Sequence, residues 1–451
     1  METDMTKGRP AAILLRFVIP LIIGNIFQQL YNMVDTIIVG RFVGQGALAA
    51  VGSTGTVMFL ITGLAMGLTT GFAVLTAQMY GAKKEKRLRG SVANAILLAV
   101  VFAVILTAAS VSIMHPLLKL MNTPTDIYKD AYTYITIISW GLVSTVFYNL
   151  ASALLRAVGN SRVPLYFLIL SAGLNVVLDL VLIVGAHLGV AGAALATVIS
   201  QGISAILCFV YIMKKVTILK PRKGEWRLDI GMTLYQLKVG APMALQFAIT
   251  ASGTMIMQSA VNMFGSTSIA GFTAASKLGN LLTQGMPAMG QAMATYGGQN
   301  FGDRQIDRIS KGVRAAILLE TGYSLIAAAL GVILLRPALG LFFDASADFA
   351  ALLPSARTYA YLSYMFYIPL SFIFIFRNTM QACGYGILPM LGGVTELAAR
   401  CVTAAIAMRM ESYLVACAGD PAAWLAAAVF TAAAYLWVIR DIRRRYASGT
   451  A

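Results

Sequence analysis

Charge is scarce in this chain. Only 12% of its 451 residues are Asp, Glu, Lys or Arg, and 59% are hydrophobic. A soluble domain carries about 25% and 45–50% respectively, so a soluble globular protein is excluded. Histidine is scarcer still. His115 and His187 both fall near the ends of apolar runs and leave no histidine cluster for a metal. The four cysteines (Cys208, Cys383, Cys401 and Cys417) show no CxxC spacing. They fit neither a zinc site nor a disulfide framework. No GxxxxGK[ST] loop is present to cradle the phosphates of ATP, and no GxSxG or HExxH pattern marks an enzyme. A cleaved signal peptide is not expected. The first apolar run, behind Lys7, Arg9 and Arg16, is too long for a signal segment and many more follow it.

What is present is a succession of apolar runs of about 20 residues, the length that crosses a bilayer as a helix. Twelve spans are read, near 13–39, 47–79, 91–114, 131–153, 163–185, 190–213, 235–262, 269–298, 313–335, 357–380, 387–408 and 421–439. The expected class is an all-α polytopic membrane protein. The net charge of +16 follows that topology. With both termini placed in the cytoplasm, the segments on that side hold 26 of the 34 Lys and Arg, Arg377 counted among them. Arg41, Lys119, Lys129, Arg336, Arg357 and Arg409 lie on the other side. This is the positive-inside bias, which sets orientation. The basic loops suit anionic headgroups rather than nucleic acid, and the expected location is the inner or plasma membrane.

The chain repeats itself. "AQMYGAKKEKRLRG" (77–90) matches "GQNFGDRQIDRISKG" (298–312) at Gln78/Gln299, Tyr80/Phe301 and Gly81/Gly302. "LRAVGNSRVP" (155–164) matches "MQACGYGILP" (380–389) at Ala157, Gly159 and Pro164. Pro20 and Pro242 open the first span of each half. Recurrence at nearly one offset marks an internal duplication. The reading is an N-lobe over 1–213, a basic cytoplasmic linker over 214–238 and a C-lobe over 239–451. Six crossings return the chain to its starting side, so the six-helix lobes relate by a pseudo-two-fold axis along the membrane normal. Such parallel repeats are common in transporters, with the substrate path between halves.

Acids inside spans are costly and rarely idle. In span 1, Gln28, Tyr31, Asn32 and Asp35 fall on one helical stripe. In span 5, Asn175 and Asp179 stand four apart, and Thr197 lies among small residues in span 6. Together Asp35, Asn175, Asp179 and Thr197 offer carboxylate, amide and hydroxyl oxygens, which suit a hard cation such as Na⁺. They equally suit a proton, with a titration that belongs to the acid pair. The alternative for Asn175 and Thr197 is plain helix packing. Gln28, Tyr31 and Asn32 either line a cleft or pack. Pro20, Pro242 and Pro287 bend their helices, as hinges or as packing features. Glu396 and Arg400, four apart in span 11, suit a mutual pair, with Lys277 as another partner for Glu396. Glu320 is read at the lipid–water boundary, and Asp344 and Asp348 as solvated.

These motifs, taken together over all twelve spans, resemble the multidrug and toxic compound extrusion (MATE) family. The resemblance is carried by Pro20 with "YNMVDTIIVG", the "QMYGAKK" and "QNFGDRQ" pair, "LLRAVGNSRVP" with "MQACGYGILP", and "LNVVLDLVLI". It implies the MATE fold and a secondary active multidrug efflux antiporter, not an enzyme. Cationic or amphipathic compounds would leave in exchange for H⁺ or Na⁺ by alternating access. No cofactor beyond the coupling ion and no resident metal beyond Na⁺ is implied, and a monomer is expected. The DinF-like branch of the MOP superfamily fits best. Its pattern places the coupling cation at Asp35, Asn175, Asp179 and Thr197, and puts Gln28, Tyr31 and Asn149 on the cleft wall with Asn32 beside them. The span-7 acid of the NorM-like branch is lacking here. A flippase for a lipid-linked precursor, from the same superfamily, is the alternative. Its cleft would carry several cations for a pyrophosphate.

Overall fold

Lipid offers no partner to a backbone N–H or C=O, so long apolar runs close their hydrogen bonds internally as helices. The computed structural model describes residues 3–121, 123–342 and 349–448. Asp344 and Asp348 lie outside them. The first half comprises α1 (Pro10–Phe42), α2 (Gln45–Ser53), α3 (Gly55–Gly81), α4 (Glu85–Leu120), α5 (Thr125–Trp140), α6 (Leu142–Ala157), α7 (Arg162–Asp179) and α8 (Gly189–Lys215). The second comprises α9 (Ile230–Asn262), α10 (Gly265–Leu282), α11 (Gly285–Gly302), α12 (Ile306–Phe342), α13 (Phe349–Met365), α14 (Tyr367–Ala382), α15 (Ile387–Met410), α16 (Tyr413–Cys417) and α17 (Gly419–Ala447). No strand occurs among the described residues.

Among the described residues, nine helices are long and apolar enough to span a membrane. The bent pairs α5/α6 (47°) and α13/α14 (49°) raise the number to eleven. The twelfth expected span is α10 and α11 together, interrupted at Thr283 and Gln284. Its Ser, Thr, Gln and Asn content makes it less apolar than the others. Val104, Ile206, Leu318 and Ile333 are large apolar side chains exposed on the helix surfaces, as lipid contact requires. The chain is a multi-pass membrane protein.

The duplication reaches the element boundaries. Helices α6 and α14 begin and end 225 residues apart, and α7 and α15 begin at the same offset. The matched glycines share a backbone state, with φ of 81° at Gly159 and 87° at Gly384. Side chains are strained in that left-handed region. At Gly159 a Cβ would also stand 2.2 Å from the Thr3 carbonyl oxygen.

The chain divides into two compact units. Unit 1 holds Ile19–Phe247 with the stretch ending at Asp4, and unit 2 holds Met5–Val18 with Ala248–Ala451. The matched glutamines explain part of this division. In unit 1 the Tyr235 hydroxyl at the start of α9 donates to Gln78 Oε1 at 2.8 Å. In unit 2 the Met5 N–H, ahead of α1, donates to Gln299 Oε1 at 2.9 Å. Each glutamine fixes the segment that leads into a first span. Asn94 and Gln236, both fully buried, reinforce the unit 1 anchor through a 2.7 Å bond.

Within unit 1, α3 presents Gly63, Gly67 and Gly71 as a stripe to the Gly240–Phe247 stretch of α9. A Cβ on Gly71 would stand 2.2 Å from Gly240 Cα, and one on Gly67 would stand 2.6 Å from Ala244 Cα. Small residues at this spacing let backbones touch. Gly71→Leu is expected to destabilise the protein by about 1–3 kcal/mol through overpacking. Thermal unfolding in detergent reads this directly, and an unchanged midpoint would refute the tight α3–α9 contact.

The loop between α8 and α9 is tied down by Glu225, whose carboxylate meets Arg89 Nε at 3.1 Å and the Arg222 N–H at 2.8 Å. Burial opposes its charge, but the Arg222 N–H and the Arg89 guanidinium together hold the acid below the usual glutamate range. A depressed carboxylate contributes stability above its unfolded pKa and loses it as pH falls through the folded value. The 214–229 segment should therefore resist pepsin until the pH drops below the ordinary glutamate range. Arg89→Met should move the onset of cleavage to higher pH.

Candidate cation site

The four oxygen-bearing residues read from the sequence come together in unit 1. Helix α1 carries Asp35, α7 carries Asn175 and ends on Asp179, and α8 carries Thr197. Asn175 and Asp179 are 0% exposed, and Asp35 and Thr197 are 9% exposed. Asn175 Nδ2 donates to Thr197 Oγ1 at 3.4 Å, and Thr197 donates back to the Ala193 carbonyl of its own helix at 3.1 Å. The carboxyl groups of Asp35 and Asp179 lie within hydrogen-bonding reach of each other. Among the described residues Asp35 Oδ1 is buried with no donor. Two bare carboxylates so placed repel, so a proton or a cation between them is what the arrangement accommodates.

The backbone is irregular at this point. Directly after Asp179 the helix widens into a π-helical turn, Leu180–Gly185. Such turns recur at functional sites. Helix α8 presses against it: a Cβ on Gly192 would stand 3.1 Å from the Leu182 carbonyl carbon. The apolar sequence "LVLIVG" carries no signal for this change of winding.

Tyr31 joins the group through a hydrogen bond to Thr197 and stands beside Asp35. Gln28 shares the face of Asp35 but lies two turns earlier, where it is exposed, as is Asn32. Asn149 is half-buried on α6. Among the described residues none of Gln28, Asn32 and Asn149 bonds to the acids. Pro20 sits inside α1, which continues through it. Tyr134 on α5, which the sequence reading missed, is buried and interacts with Asp35, Asp179 and Tyr31. Only its place as a tyrosine within an amphipathic helix hinted at it.

Unit 2 is built differently. Ser171 and Asn175 recur 225 residues on as Glu396 and Arg400. Arg400 Nη1 meets Glu396 at 3.5 Å, and Arg400 Nε donates to Asp420 Oδ1 at 3.0 Å. The Tyr359 hydroxyl donates to Asp420 Oδ2 at 3.2 Å. Arg377 pairs with Glu396 at 3.8 Å and lies over the Phe374 ring. Arg377 was counted with the cytoplasmic loop charges; instead it is a helical residue of α14 drawn inward by Glu396. Glu320, read at the lipid–water boundary, is also corrected. It is 2% exposed, because it shares the inward stripe of Val313, Ala316, Ser324 and Ala327 on α12.

A family model described as MatE matches residues 20–181 and 242–404. Among curated proteins, the probable multidrug resistance protein YpnP of Bacillus subtilis (strain 168) is 30% identical over 301 residues, 66% of this chain and 67% of that protein. The DNA damage-inducible protein F of Escherichia coli (strain K12) is 31% identical over 211 residues, 46% of this chain and 45% of its own. Among solved structures, an outward-facing multidrug resistance MATE family transporter of the MOP superfamily superposes with a TM-score of 0.87. It is 22% identical, covering 98% of this chain and 100% of that one. A MOP superfamily transporter from Pyrococcus furiosus superposes at 0.89, also 22% identical, covering 98% and 97%. These structural matches speak to the fold: twelve helices in two lobes.

Proposed function

We propose, from the premise that the chain belongs to the MatE family of transporters, that it is a secondary active exporter of cationic or amphipathic organic compounds. Inward H⁺ or Na⁺ drives it by antiport, and the Asp35–Asp179 pair carries the ion. The observation that carries this reading is that pair, buried in one unit and within hydrogen-bonding reach. Asn175 and Thr197 hold the oxygens around it, and Tyr31 and Tyr134 enclose it. The names of relatives such as YpnP support a drug-like cargo.

The coupling follows from charge. With its cation bound, the pair carries one negative charge instead of two and its helices stay together. When the cation leaves, like charges face each other in a low dielectric and the arrangement of α1 against α7 is disfavoured. A ligand shifts such an equilibrium only by its differential affinity for the two states. Pro20, where α1 lacks one backbone hydrogen bond, is the proposed point of bending. The basic loops support a reading with both termini in the cytoplasm and the protein in the inner or plasma membrane. The deep arginines of unit 2, Arg377 and Arg400, are each paired with acids, which suits a fixed network better than a pyrophosphate clamp.

The test is efflux of a fluorescent organic cation from proteoliposomes, with a pH gradient and a sodium gradient imposed separately. Export driven by one of them is the expected result and names the ion. No export under either, in vesicles with confirmed insertion, would overturn the reading.

A further inference from the structure

Glu320 has no place in the cation site of unit 1, yet it is a carboxyl group buried at mid-span in unit 2. Its Oε2 has no hydrogen-bond partner, and Glu320 takes part in no ion pair among the described residues. The helices packed against α12 hold no free counter-charge facing it. Lys277 on α10 and Arg357 on α13 are exposed. Helix α11 contains no charged residue. Arg377 on α14 is paired with Glu396, and Asp420 on α17 with Arg400. The basic end of α17 lies at the level of Asp307, 13 residues back along α12 and about 20 Å away. Arg314 on α12 itself is exposed, and Tyr323 is the titratable group that interacts with Glu320. A bare carboxylate so placed would cost many kcal/mol, and groups in that position take up a proton instead.

The neighbours of Glu320 make its position mechanically significant. One turn on, the Tyr323 hydroxyl donates to the Leu282 carbonyl at 2.7 Å and accepts from the Gly285 N–H at 3.0 Å. It thereby closes the break between α10 and α11. Ser324 Oγ donates to the Tyr367 carbonyl at 3.3 Å, at the 49° bend between α13 and α14. One turn of α12 therefore pins both broken spans of unit 2, and Glu320 sits directly beneath it. The hydroxyls of Tyr364 and Tyr367 are buried nearby without partners among the described residues. Broken spans are where transporters place ion sites.

We propose that Glu320 is a second proton-binding site, separate from the Asp35–Asp179 pair, whose occupancy sets the two helix breaks pinned by Tyr323 and Ser324. A proton is favoured over a metal cation because a cation needs several converging oxygens.

Infrared difference spectroscopy of the purified full-length protein between acid and alkaline pH tests this without any substrate. The wild type should show the carbonyl stretch of a protonated carboxyl group that Glu320→Gln removes and Asp35→Asn leaves intact. An unchanged spectrum in Glu320→Gln would overturn the proposal. Should that variant fail to fold, isotope-labelled glutamate in the wild type replaces it: the band must shift, and a band that shifts only with labelled aspartate refutes the assignment. Hydrogen exchange at Leu282–Gly285 and Phe366–Tyr367 reads the mechanical part. It should vary with pH in the wild type and lose that variation in Glu320→Gln. Equal pH dependence in both would remove Glu320 from control of the breaks.

Discussion

Asp35→Asn is expected to reduce gradient-driven efflux to the level of empty vesicles while leaving insertion and thermal stability close to wild type. Asparagine matches aspartate in size and hydrogen-bonding shape, so the buried site stays filled. What it loses is the exchangeable charge. Asp179 then stands beside a neutral amide, and cation release no longer sets two like charges against each other. The free-energy difference that couples ion to conformation disappears with it. Asp179→Asn should behave in the same way. Thr197→Ala removes the hydroxyl that bonds both Asn175 and Tyr31, each bond worth on the order of 1 kcal/mol, and should slow efflux by roughly ten- to thirtyfold. Wild-type efflux in Asp35→Asn would remove the pair from the coupling step.

Arg400→Met should destabilise unit 2 by about 3–5 kcal/mol, the cost of breaking a buried ion pair by removing one partner. Arg400 is buried and serves two acids, Glu396 and Asp420. Its loss leaves Asp420 with the Tyr359 hydroxyl and Glu396 with the longer contact to Arg377. The sharper expectation is non-additivity. Adding Asp420→Asn to Arg400→Met should restore much of the lost stability, because the stranded charge goes with the arginine while Glu396 keeps its pair with Arg377. Unfolding midpoints of the single and double variants in detergent measure this. A double variant less stable than the single would show that the network acts by something other than charge balance.

The legible part of the fold was whatever periodicity and repetition record. Twelve apolar runs, the matched Gln78/Gln299 and Gly159/Gly384, and the lone intramembrane acids of span 1 and span 5 are local features, and each has a local cause. A left-handed turn needs glycine, and a buried amide anchor needs glutamine. The candidate site was legible because Asp35 and Asp179 are polar against an apolar background. What escaped depends on which helices meet. Asp420 near the start of α17 carries no signal of its own in the sequence, and its partner Arg400 lies on another helix, α15. Arg377 and Glu320 were misjudged because their depth depends on which side of α14 and α12 faces inward. The π-helical turn after Asp179 packs closely against Gly192 on α8, a contact between two apolar segments that hydropathy does not distinguish. Gln28 and Asn32 share the stripe of Asp35 but not its burial, since a helical stripe fixes a face and not the helix that covers it.

The most direct test of the account is equilibrium binding of tetraphenylphosphonium to the purified protein, measured across pH and sodium concentration. Antiport through one exchanged cation requires that the affinity for the organic cation fall as the coupling ion rises, since linkage between the two is reciprocal. The account predicts that fall in the wild type with one of the two ions, and no dependence on either in Asp35→Asn. A wild-type affinity indifferent to both ions, or an Asp35→Asn variant that keeps the wild-type dependence, would contradict it.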